Sequence, residues 1–116
     1  MSNEKVFKMK FSKVYLCLVT KALKKGRSRA EVDEVTSWLT GYSAEQIAGM
    51  EQSDTTYQEF FEYAPQLNDD RKFITGKVCG LSVESIEDPL MQNIRYLDKL
   101  VDELAQGKSL EKILRR

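Results

Sequence analysis

The chain contains no histidine. That removes the side chain that most often serves as general base and as transition-metal ligand near neutral pH. Without it, neither a Ser–His nor a Cys–His pair can form. Cysteine is almost as scarce: Cys17 and Cys79 stand apart, each inside an apolar run. Two thiols cannot build a structural zinc site unaided, and their apolar settings predict buried free cysteines, not a disulfide. Neither GxGxxG nor GxxxxGKS/T occurs, so no phosphate-cradling loop is expected. No cofactor, metal or catalytic residue is predicted.

Proline occurs twice, and charged residues make up 31% of the chain. Both facts argue against a loop-rich or disordered protein. Long apolar runs are missing too. Val14–Val19 is six residues long and Lys21 follows, far short of the roughly 20 residues of a membrane span. Lys5, Lys8, Lys10 and Lys13 precede that run in the manner of a signal peptide, but no small-residue cleavage site follows. The chain reads as cytoplasmic, bacterial in style and complete.

Charge is abundant but segregated. Residues 1–29 hold nine basic residues against Glu4 alone, a net +8. Between Ala30 and Asp70 there are ten acidic residues and no Lys or Arg, a net −10. From Arg71 onward nine basic face seven acidic residues, a net +2. A formal charge of zero therefore conceals a dipolar sequence, whose opposite blocks should attract within a subunit or between subunits. The turn at Gly26–Arg27 should bring Glu31 and Glu34 within reach of Lys24 and Arg27. Glu59, Glu62 and Asp70 would then seek partners elsewhere, including on another chain.

At 116 residues and 41% apolar, the chain predicts one helical domain over 1–116. Residues 5–11 alternate lysines with Phe7, Met9 and Phe11, which predicts a short extended N-terminal arm. A helix from Ser12 or Lys13 to Lys25 is apolar nearly all round in its first half, the pattern of a central buried helix. Ser28 with Glu31 and Ser43 with Gln46 have capping-box spacing and should open two further helices. Val32, Val35, Trp38 and Leu39 are expected on the inner stripe of the first of these, with Trp38 largely buried. Asp54 or Thr55 should cap a short helix carrying Tyr57, Phe60 and Phe61, which Pro65 stops. Asn68 should cap another, with Phe73, Ile74, Val78 and Cys79 in the core and Gly80 at its end. Asp88-Pro89 forms a cap-plus-first-turn pair for the longest helix, about Pro89 to Gln106, with a seam of Leu90, Ile94, Leu97, Val101 and Leu104. Ser109 caps a last turn.

Residues 39–47 align without gaps on residues 78–86. Each copy reads as helix, glycine stop, hydrophobic residue, serine cap and second helix. The fold class is therefore all-α: a compact multi-helix domain with two helix–turn–helix units and a long C-terminal helix. Gly41 and Gly80 should be left-handed stops, each followed by a buried hydrophobe, Tyr42 and Leu81.

The turn Gly80-Leu81-Ser82 resembles a DNA-binding turn, but Glu84, Glu87 and Asp88 would meet phosphates and repel them. The cluster Lys21, Lys24, Lys25, Arg27 and Arg29 is a better phosphate-contacting patch, although overall neutrality disfavours nucleic acid. Glu87, Asp88, Asp98, Asp102 and Glu103 are satisfied by surface ion pairs with Arg95 and Lys99, without a metal. Tyr15, Lys21, Arg27, Arg95, Tyr96 and Asp98 remain as the candidate polar site.

Several runs are specific: Lys25-Gly26-Arg27, Glu31-Val32-Asp33-Glu34-Val35, Trp38-Leu39-Thr40-Gly41-Tyr42, Ile74-Thr75-Gly76 with Val78-Cys79-Gly80, Ile86 to Gln92, and Ile94 to Leu104. Together they resemble the uncharacterised bacterial family catalogued as domain of unknown function 2200, over nearly the whole chain. The resemblance implies a small, stand-alone, cytoplasmic, mostly helical protein and supplies no activity. The leading expectation is a non-enzymatic interaction or structural protein, with a second copy or another protein as partner and no membrane. The alternatives are a small-ligand binder or enzyme without His or metal, and non-specific nucleic-acid binding through the basic N-terminal block.

Overall fold

A computed structural model describes residues 3–78 and 80–115. Among them are seven α-helices and one two-stranded hairpin: α1 Asn3–Phe7, α2 Phe11–Lys24, α3 Arg29–Thr40, α4 Ala44–Glu51, α5 Tyr57–Glu62, β1 Lys77–Val78, β2 Leu81–Ser82, α6 Pro89–Ala105 and α7 Leu110–Ile113. Two short 3₁₀ turns, Asp69–Phe73 and Val83–Ser85, flank the hairpin.

The helix starts follow their caps. Ser28 with Glu31 and Ser43 with Gln46 form reciprocal capping boxes, as their spacing predicts. Thr56 with Glu59 forms a third, one or two residues beyond the expected cap at Asp54 or Thr55. The Asp88 carboxylate accepts from the Leu90 and Met91 amides at the start of α6, with Pro89 in the first turn. Gly41 closes α3 at φ +83°, and Tyr42 behind it is buried, its hydroxyl donating to the Phe60 carbonyl at 2.7 Å.

The centre of the molecule is α6, not α2. Met91, Ile94, Tyr96, Leu97, Lys99, Leu100, Val101, Glu103 and Leu104 are all buried, so this helix is covered nearly all round. It packs against α2, α3, α5, α7, β1 and the turn Val83–Ser85. In contrast, α2 buries Phe11, Tyr15, Leu18, Val19 and Ala22 on one side and exposes Leu16, Cys17 and Leu23. Its unbroken apolar run is thus two faces, one inside and one outside. The buried setting expected for Cys17 is corrected: it is exposed and free. Cys79 lies outside the described residues.

Further expectations are corrected. The N-terminal arm is helical over Asn3–Phe7, and only Lys10 bridges Thr56 in an extended pairing. The helix expected from Asn68 to Gly80 stops at Phe73. Ile74 is extended, Gly76 has φ +104°, and Lys77–Val78 pairs with Leu81–Ser82. A residue at that φ cannot continue a helix, and the preceding Ile74-Thr75 pair is β-branched. Phe73 and Leu81, expected inside, are 54% and 53% exposed. Of the two units expected, the first has two helices, α3 and α4, joined after the glycine stop at Gly41, whereas the second is a hairpin followed by a 3₁₀ turn. Trp38 is half-buried at the core edge, because Val32, Val35, Thr36, Leu39 and Thr40 take the inner stripe of α3.

Candidate functional site

The six candidate residues fall into three separate places. Tyr15 is fully buried, and its hydroxyl donates to Asp33 Oδ1 at 2.5 Å and lies 3.3 Å from Thr36 Oγ1. Burial, then the Asp33 carboxylate, pushes this phenol far above its ordinary range. Arg29 covers the ring at 5.5 Å and pairs with Asp33 and Glu51. Arg27 is engaged at the far end of α2, with Glu31 at 2.7 Å and the Lys108 carbonyl at 2.8 Å. Both side chains are tied into internal contacts, although the buried Nε of Arg27 has no hydrogen-bond partner.

Arg95 and Asp98 pair at 2.8 Å beside α2, and Lys21 reaches Asp102 at 3.1 Å one turn further along. Burial raises the Asp98 carboxyl above the usual carboxylate range, against the pull of the Arg95 guanidinium. Tyr57, wholly buried, senses both charges, and its hydroxyl has no hydrogen-bond partner. Arg95, Asp98 and Tyr57 line none of the three clefts described below, whereas Lys21 borders the groove on α2.

Tyr96 faces a different side of α6. It borders a cleft of about 360 Å³ with Gln92 of the same helix and Asp69, Arg71 and Lys72 of the first 3₁₀ turn. Sequence reasoning missed Arg71 and Lys72, which it placed in an ordinary solvated helix. A second cleft, of about 380 Å³, lies between Trp38, Gly41, Gln66, Asn68, Asp69 and Asp70. Both clefts rest on the irregular stretch after α5, the part of the chain least legible from its pattern.

The outer face of α2 is the third feature. Leu16, Thr20 and Leu23 share one stripe by helical spacing, and all are exposed, Leu16 at 64% and Leu23 at 55%. Cys17, Lys21, Lys24 and Lys25 continue the surface along a shallow groove of about 430 Å³. Lys13, Lys24 and Lys25 have no carboxylate within 4 Å among the described residues.

The charge blocks do meet inside the chain. Lys10–Asp54, Arg27–Glu31, Arg29–Asp33 and Arg29–Glu51 all join residues 1–29 to the acidic block. Glu59 serves its capping box and Glu62 accepts from Gln58. Among the described residues no three His, Cys, Asp or Glu side chains gather as a metal site would require. No described helix is long and apolar enough to cross a membrane.

The fold is shared with a solved structure. The crystal structure of uncharacterized protein SP1917 superposes with a TM-score of 0.93 at 49% sequence identity, over 99% of this chain and 93% of the other. The model of the family described as "Uncharacterized protein conserved in bacteria (DUF2200)" matches residues 5–115. The chain belongs to the DUF2200 family. Comparison with curated proteins gives no match. Neither the family's description nor that of the crystal structure names an activity.

Proposed function

We propose that this DUF2200 chain is a small protein-interaction module without catalysis of its own, and that it docks a partner through the outer face of α2. The carrying observation is the exposed Leu16–Thr20–Leu23 stripe lying beside Lys13, Lys24 and Lys25, which have no carboxylate within 4 Å among the described residues. Apolar side chains beside unneutralised cations are the composition of a contact surface for an acidic partner. A symmetric α2–α2 pairing would set the same lysines against each other, so a second copy docking in that way is disfavoured. The ionisable candidates support the same reading, since Tyr15, Arg27, Arg95 and Asp98 are held in internal pairs.

The test places a photo-crosslinking amino acid at Thr20 in cells, with and without Leu16→Glu and Leu23→Glu. A discrete adduct that disappears in the double variant is expected. Absence of any adduct overturns the reading. An adduct at twice the chain's mass would replace the partner by a second copy. Leu16 and Leu23 are exposed, so the substitutions should leave stability within about 0.5 kcal/mol.

A further inference from the structure

The cleft beside Tyr96 is built for something other than protein docking. Tyr96 is 5% exposed, yet its hydroxyl has no hydrogen-bond partner. The small accessible part of the side chain borders the cleft. The hydroxyl is not sealed in the interior, so with no protein acceptor its proton is available to a group bound in the cleft.

Three of the other four side chains lining that space, those of Arg71, Lys72 and Gln92, carry donors as well; the fourth is Asp69. Arg71 uses Nη1 for the Asn68 carbonyl at 2.9 Å, which leaves its remaining N–H groups for the cleft. Lys72 sits over the Phe73 ring at 5.4 Å, with no carboxylate within 4 Å among the described residues. Gln92 gives one amide proton to the Val83 carbonyl and keeps the second. Lys99, one turn along α6 from Tyr96, is buried with its amine on the Lys77 carbonyl at 3.2 Å and adds positive potential.

Two carboxylates stand against these cations. Asp69 is fully solvated and only 3.9 Å from Arg71. Glu84 is held by the Gly76 amide at 3.1 Å. Three cations therefore outweigh two acids, one of which is spread into solvent.

We infer that the cleft between the Asp69–Phe73 turn and α6 binds a phosphoryl group, with Arg71, Lys72, Gln92 and Tyr96 as donors. The donors come from two elements on opposite sides of the space, a geometry that a group with several divergent oxygens satisfies better than a flat carboxylate. A volume of about 360 Å³ fits the phosphoryl group with a small organic substituent. The cleft is separate from the outer face of α2, and the proposal stands whether or not that face docks a partner.

The test is an amide NMR titration of the full chain with inorganic phosphate and, in a second arm, glycerol phosphate. Chloride at matched ionic strength is the control. Saturable shifts are expected at residues 70–73 and 92–96 and not at α2. A tighter response to glycerol phosphate assigns the site to a phosphomonoester, and equal responses assign it to the free anion. Tyr96→Phe, which keeps the ring, should weaken binding about tenfold or more. Lys72→Gln, on an exposed side chain, should weaken it while leaving the fold intact. Arg71→Gln should remove it. Shifts no larger than with chloride, shifts confined to the α2 lysines, or affinities unchanged in Tyr96→Phe and Lys72→Gln would each overturn the assignment.

Discussion

Lys21 of α2 meets Asp102 of α6 at 3.1 Å, across 81 residues of sequence. Arg27 meets the Lys108 carbonyl across the same separation. Both contacts lie on one polar edge, where α2 and α6 and the turns that follow them meet.

That edge is wet, and the core side is not. Lys21→Ala should therefore cost no more than about 1 kcal/mol and less at high salt. Glu103 is buried and held by Arg115 at 2.6 Å, with Lys108 at 3.5 Å. Arg115→Ala strands that carboxylate and should cost up to about 3–5 kcal/mol, softened by Lys108. Urea unfolding of both variants checks the contrast.

Gly41 and Gly80 share a left-handed backbone but not their surroundings. A Cβ at Gly41 would lie 2.8 Å from the Gln66 backbone nitrogen, whereas one at Gly80 meets open space. Gly80→Ala should cost about 1 kcal/mol, the backbone penalty alone. Gly41→Ala should cost clearly more. Equal losses in thermal melts would contradict this.

Trp38 is the single tryptophan, so fluorescence reports on one edge of the core. Its emission should be intermediate, and acrylamide should quench it in the native state. Trp38→Ala should cost less than Phe60→Ala. Phe60 is fully buried and stacks on Phe11 at 4.0 Å, a site where truncation costs about 3–5 kcal/mol.

Two carboxylates should respond to pH in opposite senses. The Ser28 amide, then Arg27, holds Glu31 below its ordinary value. Its contribution is present above about pH 4.3 and lost as pH falls through the folded-state value. Burial holds Asp98 above its ordinary value. Its contribution is present below about pH 3.9 and lost as pH rises through the folded-state value. From pH 3 to pH 7, Glu31→Gln should lose ground to the parent chain in urea midpoints and Asp98→Asn should gain.

The parts of the fold legible in the sequence are those written in local chemistry. Ser28, Ser43, Asp88 and Gly41 place helix ends because capping and left-handed stops depend on adjacent atoms. Burial was harder to read. Leu16 and Leu23 look like Leu18 and Val19 in the sequence, and only the position of α6 decides which pair faces out. Gly76 defeated the expected helix because a glycine in a helical pattern does not announce its φ. Within the candidate site, Tyr96 was legible as a polar aromatic on α6. Its partners Arg71 and Lys72 were not, since they arrive from a turn that no periodicity marks.

The position of α6 also bears on how the chain comes into being. The helix against which α2, α3 and α5 pack occupies Pro89–Ala105, so synthesis delivers the walls before the pillar. Until Leu104 has left the ribosome, the faces of α2, α3 and α5 that pack on α6 stay uncovered, even where these helices already touch one another. Folding must wait for contacts as distant as Lys21 with Asp102, and loop closure of that length slows it. The nascent chain is thus exposed along its apolar surfaces for most of its translation, and its solubility in that interval depends on the charged blocks that precede the last long helix.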